Sequence, residues 1–283
     1  MKVLVTGAAG QLGHDVMLLL KARGADAVGA DKSDFDITDS DSVNRFVLHK
    51  GFDAIVHAAA WTNVDLAETE KESCRNVNVV GTRNIAKAAA ESGAKLAFIS
   101  TDYVFSGAGT MSHETDEAIM PINYYGFTKA EGEKIVRELA PRSFIIRSSW
   151  IFGINGGNFV KTMLKLAKDK TEISVVCDQI GSPTYSLDLA RLITDMLLTE
   201  KYGTYHASNE GFCSWAEFAS EIFAEAGVSA KVKPVSTGEY PAKAKRPLNS
   251  RLSKKSLDDA GFERLPDWKN ALGRYLEELR LCD

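Results

Sequence analysis

The tightest constraint on this chain lies in its first two dozen residues. An apolar run, Lys2–Thr6, has the length of one strand. Gly7-Ala8-Ala9-Gly10-Gln11-Leu12-Gly13 follows, opening a helical pattern over 11–23 with Val16, Leu19 and Leu20 on one side. Glycines spaced G-x-x-G-x-x-G let the backbone turn sharply and approach a pyrophosphate, which rests on the N–H groups at the helix N-terminus. The bare spacing has little specificity, but its place directly behind an N-terminal strand adds a good deal. The competing reading is a tight strand–helix turn that binds nothing.

The alternation continues through the first half. Residues 27–30, 54–59, 96–100 and 144–147 read as strands. Residues 40–49 read as a helix that Ser40 could cap, 66–92 as one long helix stopped by Gly93, and Tyr124–Leu139 as another. Nearly continuous apolar strands suit a parallel sheet covered on both faces. The expected fold class is therefore α/β, a Rossmann-like doubly wound parallel sheet. The second half is less regular, with helices expected at 159–168, 187–199 and Trp215–Ala226 and short strands at 173–176 and 203–207. Pro234, Pro241, Pro247 and Pro266 punctuate a loop-rich end. The division this suggests is a dinucleotide-binding domain over 1–150. A smaller, interwoven C-terminal substrate lobe over 151–283 would return some segments to the first domain.

Composition removes several classes. The net charge of −4 lacks the basic footprint of a nucleic-acid binder. Cys74, Cys177, Cys213 and Cys282 lie far apart, so neither a disulfide scaffold nor a thiolate zinc site is expected. No run approaches the ~18 apolar residues of a membrane span, and Met1-Lys2 opens straight onto a strand, so the expected compartment is the cytoplasm. His14, His49, His57, His113 and His206 show no ligand spacing, and His57, ending an apolar strand, reads as a satisfied core histidine.

Asp31 follows the second strand, 18 residues after Gly13. A carboxylate there accepts hydrogen bonds from a ribose 2′-hydroxyl and repels a 2′-phosphate, which favours NAD over NADP. Lys32 stands next to it and could accommodate the phosphate, so NADP is not excluded. The competing reading of Asp31 is a solvated acid among Asp34, Asp36, Asp39 and Asp41.

Tyr125-Gly126-Phe127-Thr128-Lys129 places Tyr and Lys one helical turn apart. An ammonium beside a phenol is expected to lower its pKa, and the pair can hand a proton to a carbonyl oxygen. Alone, the spacing more often means a core Tyr beside a surface Lys, with Lys129 free to pair with Glu133. Ser100-Thr101-Asp102-Tyr103-Val104-Phe105 changes that weighting. It lies at the carboxyl end of a strand, where open α/β sheets bind ligands. A hydroxyl there, Ser100 or Thr101, can hydrogen-bond a carbonyl oxygen and stabilise developing charge.

The glycine loop, the hydroxyl and the Tyr/Lys pair resemble the extended short-chain dehydrogenase/reductase superfamily. Within it, essentially the whole chain resembles the dTDP-4-dehydrorhamnose reductase family. The matching segments include Phe35-Asp36-Ile37-Thr38-Asp39, and His57-Ala58-Ala59-Ala60-Trp61-Thr62-Asn63-Val64-Asp65, where the family usually has Tyr or a similar aromatic at the Trp61 position. They continue through Ser100–Phe105, Pro121–Glu133, Arg147-Ser148-Ser149-Trp150, Asn158-Phe159, residues 178–184, residues 205–209, and Arg246-Pro247-Leu248-Asn249-Ser250.

The resemblance implies reduction of the 4-keto group of a dTDP-linked 6-deoxy-hexulose by NAD(P)H. Tyr125 would be the proton donor, Lys129 would hold the nicotinamide ribose and tune Tyr125, and Thr101 would orient the carbonyl. Gly7, Gly10, Gln11, Leu12, Gly13, Asp31, Asp36, Ile37, Ala58, Ala59, Ala60, Thr62, Asn78 and Ser100 would complete the cofactor site. Asp102, Tyr103, Trp150, Asn158 and Arg246 would join Thr101 around the nucleotide sugar, Arg246 forking onto its diphosphate. Trp150 has a competing reading as a core aromatic, and Arg246 as a solvated charge. Some relatives hold a divalent metal at a homodimer contact. Asp15 is a shorter acid where such a ligand could sit, but the remaining ligands have no counterpart to map, so Mg2+ has no assigned residues and no metal site is expected.

Two other functions fit the same motifs. One is a non-catalytic regulatory subunit like that of methionine adenosyltransferase. The other is a nucleotide-sugar epimerase or dehydratase, against which Asp102-Tyr103 argues, since a dehydratase carries Asp-Glu after the Thr.

Overall fold

The computed structural model describes residues 1–282, and the side chain of Cys282 falls outside the description. Strand β1 (Lys2–Thr6) leads through the glycine loop to helix α1 (Gln11–Ala22), followed by β2 (Asp26–Ala30), α2 (Ser40–Val47) and β3 (Ala54–His57). Two short helices, α3 (Val64–Ala67) and α4 (Lys71–Arg75), and a π-helical stretch (Asn76–Gly81) precede α5 (Thr82–Ser92). Then come β4 (Lys95–Thr101), a 3-10 turn (Asp102–Val104), α6 (Tyr124–Leu139) and β5 (Ser143–Ser148).

The second half holds β6 (Ile151–Phe152), α7 (Phe159–Leu166), β7 (Glu172–Val176), β8 (Ile180–Gly181), β9 (Thr184–Tyr185), α8 (Ser186–Met196) and β10 (Gly203–His206). It ends with β11 (Asn209–Glu210), β12 (Cys213–Ser214), α9 (Trp215–Ala226), β13 (Lys231–Val235), α10 (Lys255–Ala260), β14 (Leu265–Asp267) and the terminal helix α11 (Trp268–Cys282).

Six strands pair in the order β10-β5-β4-β3-β1-β2, all parallel. The chain runs outward from β1 to β2, then restarts on the other side with β3. That reversal is the switch point at which such sheets form a crevice. Alternation along each strand divides the core. Val3, Val5, Val56, Ala97 and Ile146 face α1 and α8, whereas Leu4, Ile55, Leu96, Phe98 and Ile145 face α2, α5 and α6. Both faces are covered, which is why the strands are apolar at nearly every position. A third apolar cluster, built on Phe152, Phe218, Trp268 and Tyr275, joins the helices of the second half.

Three local expectations need correction. The long helix expected over 66–92 is broken into α3, α4, the π-helical stretch and α5. The π-helical stretch carries Asn78 inward, where its amide donates to Trp61 O at 3.1 Å and to Thr128 Oγ1 at 3.0 Å and accepts from Trp61 N at 2.8 Å. Periodicity alone hides such a bulge. Asp39, not Ser40, caps α2 by accepting from Asp41 N at 2.9 Å. Strand β3 stops at His57 because residues 58–60 turn across the glycine loop. Gly93 ends α5 with φ +73, as expected. Among the described residues, no helix is long and apolar enough to cross a membrane.

Candidate active site

A cleft of about 910 Å³ runs over the carboxyl ends of β1 to β5. At one end is the glycine loop. Gly7 has φ +70, and a Cβ there would come within 2.7 Å of Ala59 N, so two stretches of bare backbone meet at the cleft floor. Helix α1 begins at Gly10 with no side-chain cap and no acid in its first turn. Its positive end is thus left for an anion. Gly10, Gln11, Leu12 and Gly13 line this end, and Ala58, Ala59, Ala60 and Thr62 form the facing wall.

Asp31 lines the cleft beside Lys32, but one carboxylate oxygen accepts from Ala9 N at 2.9 Å and so braces the glycine loop. Asp36 and Ile37 lie beside them. The backbone and hydroxyl of Thr38 bond the Asp36 carboxylate at 2.9 and 2.8 Å and hold its pKa below the usual range.

At the other end, β4 delivers Ser100 and Thr101 and the 3-10 turn delivers Asp102 and Tyr103, all on the cleft wall. Asn123 caps α6 by accepting from Gly126 N at 2.8 Å. A Cβ on Gly126 would stand 2.1 Å from Tyr103 O, so only glycine lets the first turn of α6 rest on this loop. Tyr125 and Lys129 therefore reach the same cleft as Thr101. The Tyr103 and Tyr125 rings meet edge to face at 5.8 Å. The Thr101 hydroxyl donates to Asp102 Oδ1 at 2.9 Å and accepts from Tyr103 N at 3.2 Å.

Burial governs the titration of these groups. It pushes the Asp102 carboxyl up to about 6, against the opposing influence of the nearby Ser250 and Thr101 hydroxyls. It lowers Lys129 to about 8, with the Glu133 charge opposing. The Lys129 ammonium lies 4.2 Å from the centre of the Phe98 ring. Tyr125 is raised above the ordinary phenol, first by burial and then by the Asp102 charge, with Thr101 offsetting part. The direction is opposite to the expected lowering of Tyr125: burial and the Asp102 charge set it. His57 is buried, with Thr6 Oγ1 at 2.8 Å and Thr82 Oγ1 at 3.3 Å, and burial holds its pKa at about 3. It is the core histidine the sequence suggested.

Trp150 packs against the apolar cluster of the second half and also lines the cleft. Its backbone sits at φ +49, its ring stacks on Trp215 at 3.8 Å, and both indoles line the cleft. Three expected site residues lie off the cleft wall. Asn78 braces residue 61 from behind, as described above. Asn158 caps α7, accepting from Lys161 N at 3.0 Å and donating to Gly153 O at 2.7 Å. Arg246 is held by Asp65 at 2.7 and 3.2 Å rather than pointing free for a diphosphate. Asp15 is buried against Ser186 and His14, and the described residues contain no cluster of three or more His, Cys, Asp or Glu side chains fit for a metal.

Trp215, Ile99, Ser148 and Ile151, none of them among the expected site residues, also line the cleft. The sequence reading missed the buried partners of Glu133. Ser100 donates to Glu133 Oε1 at 2.6 Å, and Arg147 bonds both carboxylate oxygens at 2.8 Å. Glu133 sits one turn beyond Lys129 and Arg147 ends an apolar strand, which is the signal that pattern could have given.

A doubly wound sheet with a glycine cradle at its switch point and a Thr, Tyr and Lys around one cleft defines the short-chain dehydrogenase/reductase class. The family described as the RmlD substrate binding domain matches residues 1–281. The spore coat polysaccharide biosynthesis protein SpsK of Bacillus subtilis is 43% identical over 277 residues, covering 98% of this chain and 97% of that protein. The dTDP-4-dehydrorhamnose reductase of Aggregatibacter actinomycetemcomitans is 41% identical, covering 96% and 97%. The crystal structure of the Bacillus anthracis dTDP-4-dehydrorhamnose reductase in complex with NADP superposes with TM-score 0.96 at 45% identity, covering 98% of this chain and all of that one. The chain belongs to the dTDP-4-dehydrorhamnose reductase family.

Proposed function

We propose that the chain reduces the 4-keto group of dTDP-4-dehydrorhamnose to give dTDP-L-rhamnose. The observation that carries this reading is the convergence of Thr101, Tyr125 and Lys129 on one end of a cleft whose other end is an uncapped helix start behind a glycine loop. Gly7, Gly10, Gln11, Leu12 and Gly13 would hold the diphosphate of a nicotinamide dinucleotide. Asp31 and Lys32 would meet the adenosine ribose, Asp36 and Ile37 the adenine, and Ala58, Ala59, Ala60 and Thr62 the length of the molecule. Once bound there, the reduced nicotinamide supplies the hydride.

The protein's own groups manage the oxygen. Tyr125, kept protonated by burial, donates its proton to the carbonyl oxygen. The Thr101 hydroxyl orients that oxygen by turning from Asp102. Lys129 holds the nicotinamide ribose. Asp102, whose Oδ2 is buried without a partner, accepts from a sugar hydroxyl, while Tyr103 and the Trp150 indole border the ring. Asp31 tilts the preference toward NADH, and Lys32 keeps NADPH acceptable.

Oxidation of NADH and NADPH with the dTDP-4-keto-6-deoxy sugar generated in situ tests the proposal. Stoichiometric oxidation is expected. Cofactor binding without ketosugar-dependent oxidation would instead support a regulatory subunit.

A further inference from the structure

The cleft is tied together from behind by one carboxylate. Glu133 is fully buried on α6, one turn past Lys129 and two past Tyr125. Its Oε1 accepts from Ser100, the neighbour of Thr101, and from Arg147 Nε; its Oε2 accepts from Arg147 Nη2 at 2.8 Å and Arg137 at 2.7 Å. Arg147, itself only 1% exposed, donates from Nη1 to Thr115 O at 3.1 Å and to His206 Nε2 at 3.2 Å. Arg147 is followed by Ser148, which pairs with Thr101 across β4 and β5. Three elements that reach the cleft, α6, β4 and β5, thus meet at the two oxygens of Glu133.

We propose that Glu133 is a positioning residue for the reaction: its buried carboxylate is the counter-charge that keeps Lys129 an ammonium one turn from Tyr125, and it fixes α6 against the ends of β4 and β5. The inference rests on the role given to Lys129 under the reductase reading. Lys129 is 2% exposed, so its charge needs a nearby anion. The groups that face it are few. From β3 comes His57, held neutral by burial. From α4 comes the Cys74 thiol, whose pKa burial raises. On α6 itself lie the protonated phenol of Tyr125 and the Glu133 carboxylate, and from β4 comes the Phe98 ring. Glu133 is the anion of this set. Burial alone would protonate it, but Arg147, Ser100 and Arg137 outweigh burial and hold it ionised. Arg147 thereby serves Lys129 at one remove.

The test follows the charge on Lys129 directly. Carbon-13 at lysine Cε is titrated by NMR, with the Lys129 signal assigned by its loss in Lys129→Arg. The wild-type midpoint is expected at about 8. In Glu133→Gln, which keeps the shape and removes the charge, it is expected to fall by about one pH unit or more. Glu133→Asp should stay close to wild type.

Glu133→Gln leaves Arg147 buried without its anion, so a second variant guards against misfolding. In Glu133→Gln/Arg147→Met no buried charge is stranded. Its midpoint should also fall, by less, because the opposing cation is gone. Wild-type midpoints in both variants would overturn the proposal. In steady-state assays, the alkaline limb of kcat/KM should move down with the Lys129 midpoint, whereas a purely structural role would scale the whole profile. If the wild type oxidises no reduced nicotinamide with the ketosugar, the reductase reading fails, and the NMR midpoint still decides the role of Glu133.

Discussion

Replacing Tyr125 by Phe isolates a single proton. The ring stays, and with it the edge-to-face contact with Tyr103 at 5.8 Å, so packing in the first turn of α6 is preserved. What is lost is an O–H that burial and the Asp102 charge keep protonated well beyond neutral pH. No other group replaces it easily. Thr101, an aliphatic alcohol, is a far weaker acid than a phenol, and the Lys129 ammonium lies against the Phe98 ring. Loss of a positioned general acid costs about 10²–10⁴-fold in turnover, or about 2.7–5.4 kcal/mol of barrier. The assay is stopped-flow oxidation of NADH with saturating dTDP-4-keto-6-deoxy sugar, beside NADH affinity by fluorescence and a thermal melt. We expect kcat to fall at least ~10²-fold with NADH affinity and melting temperature near wild type. Turnover within a few-fold of wild type would refute Tyr125 as the proton donor.

Other predictions follow from the same geometry. Asp31→Ala should relax any preference for NADH and loosen the loop it braces through Ala9; an unchanged NADH/NADPH ratio of kcat/KM removes Asp31 from cofactor recognition. Asn158→Ala, which removes the cap of α7, should destabilise by about 1 kcal/mol in denaturant melts while sparing KM for the nucleotide sugar; a large rise in KM would return Asn158 to the substrate site. Asp102→Asn tests a pH-dependent cost. The wild-type carboxyl is raised from 3.8 to about 6, so its ionisation penalises the fold increasingly as pH rises from about 4 to 6 and fully above that. The variant should therefore be more stable than wild type at pH 8, by up to about 3 kcal/mol, and show no advantage below pH 4. A pH-independent difference in melting would contradict the burial of that charge.

The parts of the fold that local chemistry determines were legible in the sequence. Strands β1, β4 and β5 announce themselves as unbroken apolar runs because both sheet faces are covered. The end of α5 follows from a glycine at φ +73, and in the structure Asn123 caps the start of α6. The site was legible where a motif is contiguous, as in the glycine loop or the turn from Ser100 to Tyr103. It was illegible where two distant segments decide. Arg246 read as a free guanidinium until Asp65, far away in sequence, took it. Trp215 carries no local signal, and its place on the cleft depends on a stack with Trp150 from another element. The direction of the Tyr125 shift also depends on burial, which the Tyr-x-x-x-Lys spacing does not encode.

The central claim is that these residues form a working 4-ketosugar reductase. It is tested most directly by mixing the purified chain with NADH or NADPH and freshly generated dTDP-4-keto-6-deoxy sugar, with and without magnesium. The absorbance of the reduced nicotinamide is followed and the sugar product identified. The account predicts one equivalent of cofactor oxidised per ketosugar consumed and a 6-deoxy sugar carrying a new 4-hydroxyl. Tight NADH binding with no oxidation under either condition would contradict it.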